Sequence, residues 1–174
     1  RAADVLAGAG HAVEVARPPW DPGAVQAAIA VAAPDVLHRA AGADPELLQP
    51  MARMFVELGK ATPALSALEA SAAVVGACRP TVAWFADYDV LLTPTIAIDA
   101  PRAGEVAETT DPLELMATVA GLASFTGAWN FTGQPAITLP VGFAPDGLPL
   151  AVQLVGRPAE EATILALAAE LEAL

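Results

Sequence analysis

The sequence predicts an α/β fold, a mixed β-sheet covered by helices, on three observations. Helix-length segments alternate with short apolar runs that read as strands. Two of those runs, PAITLPVGF and LAVQLVG, are joined by APDGLP, whose Asp146-Gly147 pair is a hairpin signal. The chain then closes on EEATILALAAELEAL, which has the pattern of an amphipathic helix.

The elements follow in order. RAADVLAGAGHAVEVA reads as helix, glycine turn and strand: Ala3, Leu6 and Ala7 make the apolar stripe, Gly8 and Gly10 stop it, and HAVEVA alternates around Val13 and Val15. In DPGAVQAAIAVAA, Asp21 is placed to cap a helix with Pro22 at its first position. DPELLQPMARMFVELG repeats the device with Asp44 and Pro45, and Pro50 either kinks that helix or marks its true start. A long helix is expected from Thr62-Pro63 through Phe85, bent at Pro80. DVLLTPT follows as a short apolar strand of the kind buried on both faces, ended by Pro94. Residues 99–110 read as a loop, and DPLELMATVAGLASF as a helix capped by Asp111.

Composition narrows the function. The chain has 174 residues, 55% hydrophobic and 16% charged, against roughly 45–50% and 25% in typical domains. No uncharged stretch reaches the ~20 apolar residues of a membrane span, so the excess implies surface covered by further protein. A net charge of −12 with 8 scattered basic residues excludes a phosphate-binding face, and with it nucleic acid as a partner. Cys78 stands alone, which rules out an internal disulfide framework and a zinc ribbon. No signal peptide is visible and the first residue is Arg1, so a cytoplasmic fragment or processed product is expected.

Complete catalytic machinery is missing. There is no G-x-S-x-G elbow, and of the serines Ser66, Ser71 and Ser124 the first two lie on the long helix with no base nearby in sequence. A stand-alone hydrolase built on Ser124 and His38 rests on residue type only. Gly59-Lys60-Ala61-Thr62 mimics the end of a P-loop, but Met54 stands where the earlier glycine is needed. Cys78 sits on a helix stripe beside Val74 and Val75, as a small core residue would.

The densest turn chemistry lies in FTGAWNFTGQPAITLPVGF, residues 125–143. On a short helix after Phe125, Thr126 and Trp129 are three apart and share a face, with Gly133 four beyond Trp129 on the same side. Taken with YDVLLTPT before it and DGLPLAVQLVGRPAEEATILALAAELE after it, this stretch resembles the amidase signature family in order and spacing. LAGAGHAVEVA is similar to that family's helix and strand just after its catalytic core. Within the family, the pattern looks most like the branch acting on small or oligomeric amides, including cyclic amides of nylon oligomers.

The resemblance implies that residues 1–174 are the C-terminal part of a single amidase domain. It implies a Lys, a cis-Ser and a Ser nucleophile, with an oxyanion hole in a loop reading roughly G-G-S-S-G-G. No such loop occurs here, so the catalytic groups are expected before Arg1, in the missing N-terminal part of the same protein. Thr126, Trp129 and Gly133 then become substrate-pocket candidates, Trp129 as a flat wall and Gly133 as space. Packing in the core remains the other role for Trp129. Asn130 matches a family Asn and is expected to hold the loop by hydrogen bonds to backbone. Ala123 stands near where transamidating relatives carry an acid, which favours a less polar amide.

The expected partners are a small-molecule amide and, since many relatives dimerise, a second copy in a homodimer. No cofactor or metal is implied. The alternative is a non-catalytic module derived from the same family that binds a ligand or partner. Such a module would fold alone with a finished surface.

Overall fold

A computed structural model describes residues 1–21, 23–98, 100–102, 104 and 111–173. The expected helix start at Pro22 and most of the loop at 99–110 lie outside them. The elements are α1 (Ala2–Gly8), α2 (Gly23–Arg39), α3 (Pro50–Ala61), α4 (Ala64–Trp84), β1 (Val90–Pro94), α5 (Pro112–Leu122), α6 (Gly127–Thr132), β2 (Ala136–Phe143), β3 (Pro149–Gly156) and α7 (Glu161–Ala173). They group into two compact units: Arg1–Trp20 with Arg79–Ala100 and Leu122–Leu174, and Asp21–Cys78 with Pro101–Gly121.

The first unit is built on the sheet, in the order β1-β3-β2 with both pairings antiparallel. The middle strand, β3, takes in the whole of LAVQLVG, and its consecutive Leu154 and Val155 are both 0% exposed. Successive side chains of a strand point to opposite faces, so this pair requires cover on both. On one face Leu154 packs with Leu139 against Ile164 and Ala168 of α7. On the other Val155 packs with Phe85, at the end of α4, and Trp129 of α6. The expected α/β fold is therefore present, with helices on both faces of the sheet.

Close packing of α7 sets one residue choice. A Cβ on Gly156 would lie 2.7 Å from Cγ2 of Ile164. Gly156→Ala is expected to cost about 1–3 kcal/mol, as overpacking does, seen as a lower melting temperature of the intact protein. An unchanged melt would mean that α7 shifts freely.

Where local chemistry decides, structure follows sequence. Asp111 Oδ1 accepts from Leu113 N at 2.9 Å and opens α5. Asp146 Oδ1 accepts from Leu148 N at 3.1 Å in the β2–β3 hairpin. Pro50 marks the true start of α3, and Asp44-Pro45 instead open a short 3₁₀ turn, Pro45–Leu47. α4 continues through Pro80 as one helix.

HAVEVA departs from expectation. Residues 11–20 carry no regular secondary structure, and the Val15 side chain is fully exposed. A strand needs a neighbour for its backbone groups, and among the described residues no strand pairs with this segment. Side chains hold it instead. Thr81, 0% exposed on α4, donates to the Pro19 carbonyl; Tyr88 donates to Glu14; Trp20 stacks on Phe131 at 6.2 Å. β1 is likewise half-buried rather than buried on both faces, because it forms an edge of the three strands.

In the second unit α2 packs on α3, where a Cβ on Gly59 would lie 2.5 Å from the Ala33 carbonyl oxygen. That glycine serves a helix crossing, and the phosphate-loop likeness is accidental. Among the described residues no single helix is long and apolar enough to cross a membrane. Large apolar side chains nonetheless stand in the open, Leu47 at 81% and Phe143 at 75% exposure.

Candidate substrate-facing site

The stretch singled out in the sequence folds as a turn and a short helix on one face of the sheet, followed by β2, an outer strand of that sheet. The turn closes on itself: Thr126 N and Gly127 N both donate to the Ala123 carbonyl, at 3.1 and 2.8 Å. Thr126 is not inside α6 but is its N-cap residue, half-buried, with Oγ1 3.4 Å from the same carbonyl. Gly133 is not inside it either. It sits at the C-cap with φ +69°, where its N–H donates to Trp129 O at 3.0 Å. A residue with a Cβ is strained in that left-handed region, so glycine ends the helix here. A Cβ added at Gly133 would meet nothing within 4 Å.

Trp129 is 8% exposed. Its ring meets Phe85 edge-on, centroids 6.1 Å apart at 88°, an arrangement that suits aromatic quadrupoles. Its Nε1 donates to the Phe125 carbonyl at 2.8 Å. Most of this side chain is therefore core. Asn130 points outward on α6, and its side chain forms no hydrogen bond among the described residues. The four candidates thus share one turn-helix, with Thr126 and Gly133 at its ends, Trp129 beneath and Asn130 outside.

Two residues that sequence reasoning passed over anchor this region. Gln153, 3% exposed in the middle of β3, donates from Nε2 to Phe125 O at 2.9 Å and to Thr93 Oγ1 at 3.2 Å. A buried amide inside the apolar run AVQLVG was the available signal, since such groups are hydrogen-bonded when buried. Arg157 donates from Nε to the Phe85 and Tyr88 carbonyls, at 2.9 and 3.1 Å, and pairs with Asp89 at 3.0 Å. A cation there satisfies carbonyls left over where α4 ends and fixes Phe85 under Trp129.

The other reactive candidates lead elsewhere. Cys78 is buried, and burial pushes its thiol pKa up, which opposes the thiolate a nucleophile needs. Ser124 and His38 belong to different units. No group of three or more His, Cys, Asp or Glu among the described residues could hold a metal ion.

The Amidase family model matches residues 1–165. "Putative amidase AmiB2" of Mycobacterium tuberculosis is 39% identical over 134 residues, which is 76% of this chain and 28% of that protein. Fatty acid amide hydrolase of Arabidopsis thaliana is 42% identical over 90 residues, 52% of this chain and 15% of that one. Among solved structures, 6-aminohexanoate cyclic dimer hydrolase complexed with substrate superimposes with a TM-score of 0.82 at 25% identity, covering 99% of this chain and 39% of the hydrolase. The chain therefore spans well under half the length of these relatives.

Proposed function

The chain belongs to the amidase family, and on that premise we propose that it is the C-terminal part of an amide hydrolase that works through an acyl-enzyme. One observation carries the reading. The chain follows 6-aminohexanoate cyclic dimer hydrolase along 99% of its own length but covers 39% of that enzyme, and it has no Gly-Ser-rich loop. On this reading the Lys, cis-Ser and Ser nucleophile, with their oxyanion hole, are contributed by residues preceding Arg1. This chain supplies the acyl side of the pocket and the scaffold beneath it. Thr126 and Gly133 border the pocket, and Trp129 offers only the ring edge left outside the core. The substrate is a linear or cyclic amide of low polarity, consistent with Ala123 in place of an acid.

Expression of the chain alone, and of a longer polypeptide carrying the preceding part, tests this. The isolated chain is expected to hydrolyse no acyl anilide and to self-associate in sedimentation, because side chains such as Phe143 and Leu47 are left in water. The longer polypeptide is expected to hydrolyse anilides. Hydrolysis by the isolated chain that disappears on changing a residue within it would overturn the proposal. A monomeric isolated chain with a cooperative melt would favour a self-sufficient binding module.

A further inference from the structure

We infer that Gln153 is a positioning residue for the acyl side of the site, acting through the Phe125 carbonyl. The inference rests on the amide-hydrolase reading above. Gln153 faces the same side of the sheet as Val155 and stands in register with Thr93 on β1 and Thr138 on β2. Its one NH₂ group is fully used, one hydrogen to Thr93 Oγ1 at 3.2 Å and one to Phe125 O at 2.9 Å. The same carbonyl accepts Trp129 Nε1 at 2.8 Å, so both of its lone pairs are taken. One acceptor thereby ties the turn before α6 to the middle strand and to the Trp129 ring. The bonds from Thr126 and Gly127 to Ala123 lie within the turn and fix its shape.

Packing does not explain the residue. A methionine would fill the same space on an otherwise apolar strand without an amide to desolvate. What the amide adds is a donor that fixes where Phe125 lies, and hence where the next residue, Thr126, presents its hydroxyl. Gln153 itself is 3% exposed and sits under the turn, so its effect on a substrate passes through the turn.

The test uses the longer polypeptide carrying this chain, assayed with acetyl and hexanoyl p-nitroanilides. Gln153→Met keeps the volume and removes both donors. Its KM for the hexanoyl substrate is expected to rise on the order of 10-fold with kcat changed less than about threefold, the split expected when binding geometry rather than the chemical step is lost. Gln153→His, which keeps a ring N–H donor, is expected to recover much of the loss. In a background where Trp20, Trp84 and every tryptophan of the preceding part are replaced by Phe, acrylamide quenching of Trp129 is expected to increase in Gln153→Met. Unchanged KM and unchanged quenching in a folded Gln153→Met variant would overturn the inference, as would loss confined to kcat. If Gln153→Met melts early, Gln153→His decides: KM near wild type upholds the inference, and a 10-fold rise with unchanged quenching overturns it. A wild-type protein that hydrolyses neither anilide defeats the amide-hydrolase reading instead. The clamp is then decided by quenching alone, where a rise upholds it and no change overturns it.

Discussion

Trp129→Ala is expected to cost about 3–5 kcal/mol of stability, the range for removing a large buried aromatic. The ring is 8% exposed and packs on Phe85 and Val155. Its loss opens a cavity between α6 and the sheet, and the Phe125 carbonyl keeps only Gln153 as donor. Turnover of acyl anilides should fall with stability, because the turn carrying Thr126 is held from the same point. Trp129→Phe separates the two contributions. It keeps most of the packing and removes the Nε1 donor, so its cost should be about 1 kcal/mol, that of one hydrogen bond. Thermal melts of both variants give the comparison. A Trp129→Ala protein that melts like wild type would mean that the ring is no part of the core and is free to serve wholly as a pocket wall.

Legibility in the sequence followed the range of the interaction. The start of α5, the hairpin at Asp146-Gly147 and the true start of α3 at Pro50 depend on neighbours within a few residues, and residue type alone reveals them. HAVEVA failed because alternation describes a strand's faces but not whether another strand lies beside it. Its valines alternate correctly, yet residues 11–20 are pinned by Thr81, Tyr88 and Phe131, far along the chain. The candidate site divides the same way. The stretch 125–143 stood out through its glycines, prolines and aromatic residues, and the helix it contains is real. Gly133 owes its identity to the left-handed turn that ends that helix, which spacing from Trp129 could not reveal. Gln153 escaped notice because its meaning depends on a carbonyl 28 residues earlier in the chain.

Leu154→Ala provides the complementary test, since it is expected to cost about 2–5 kcal/mol while leaving substrate handling intact. Leu154 is 0% exposed and adjoins Val155 on the same strand, but it faces Leu139, Ile164 and Ala168 beneath α7. The cavity would therefore open on the side away from α6. Neighbouring core side chains can collapse into part of it, which is why the expected cost spans a range. The hydrogen bonds from Gln153 and Trp129 to Phe125 lie on the other face and should persist. Assayed well below its melting temperature, the variant in the longer polypeptide should retain a KM within about twofold of wild type, as a loss of scaffold stability with unaltered binding contacts implies. Trp129→Ala, at similar thermodynamic cost, should not. A Leu154→Ala protein whose KM rises as far as that of Trp129→Ala would show that the two faces of β3 act as one body. The substrate side could then not be assigned to the α6 face of the sheet.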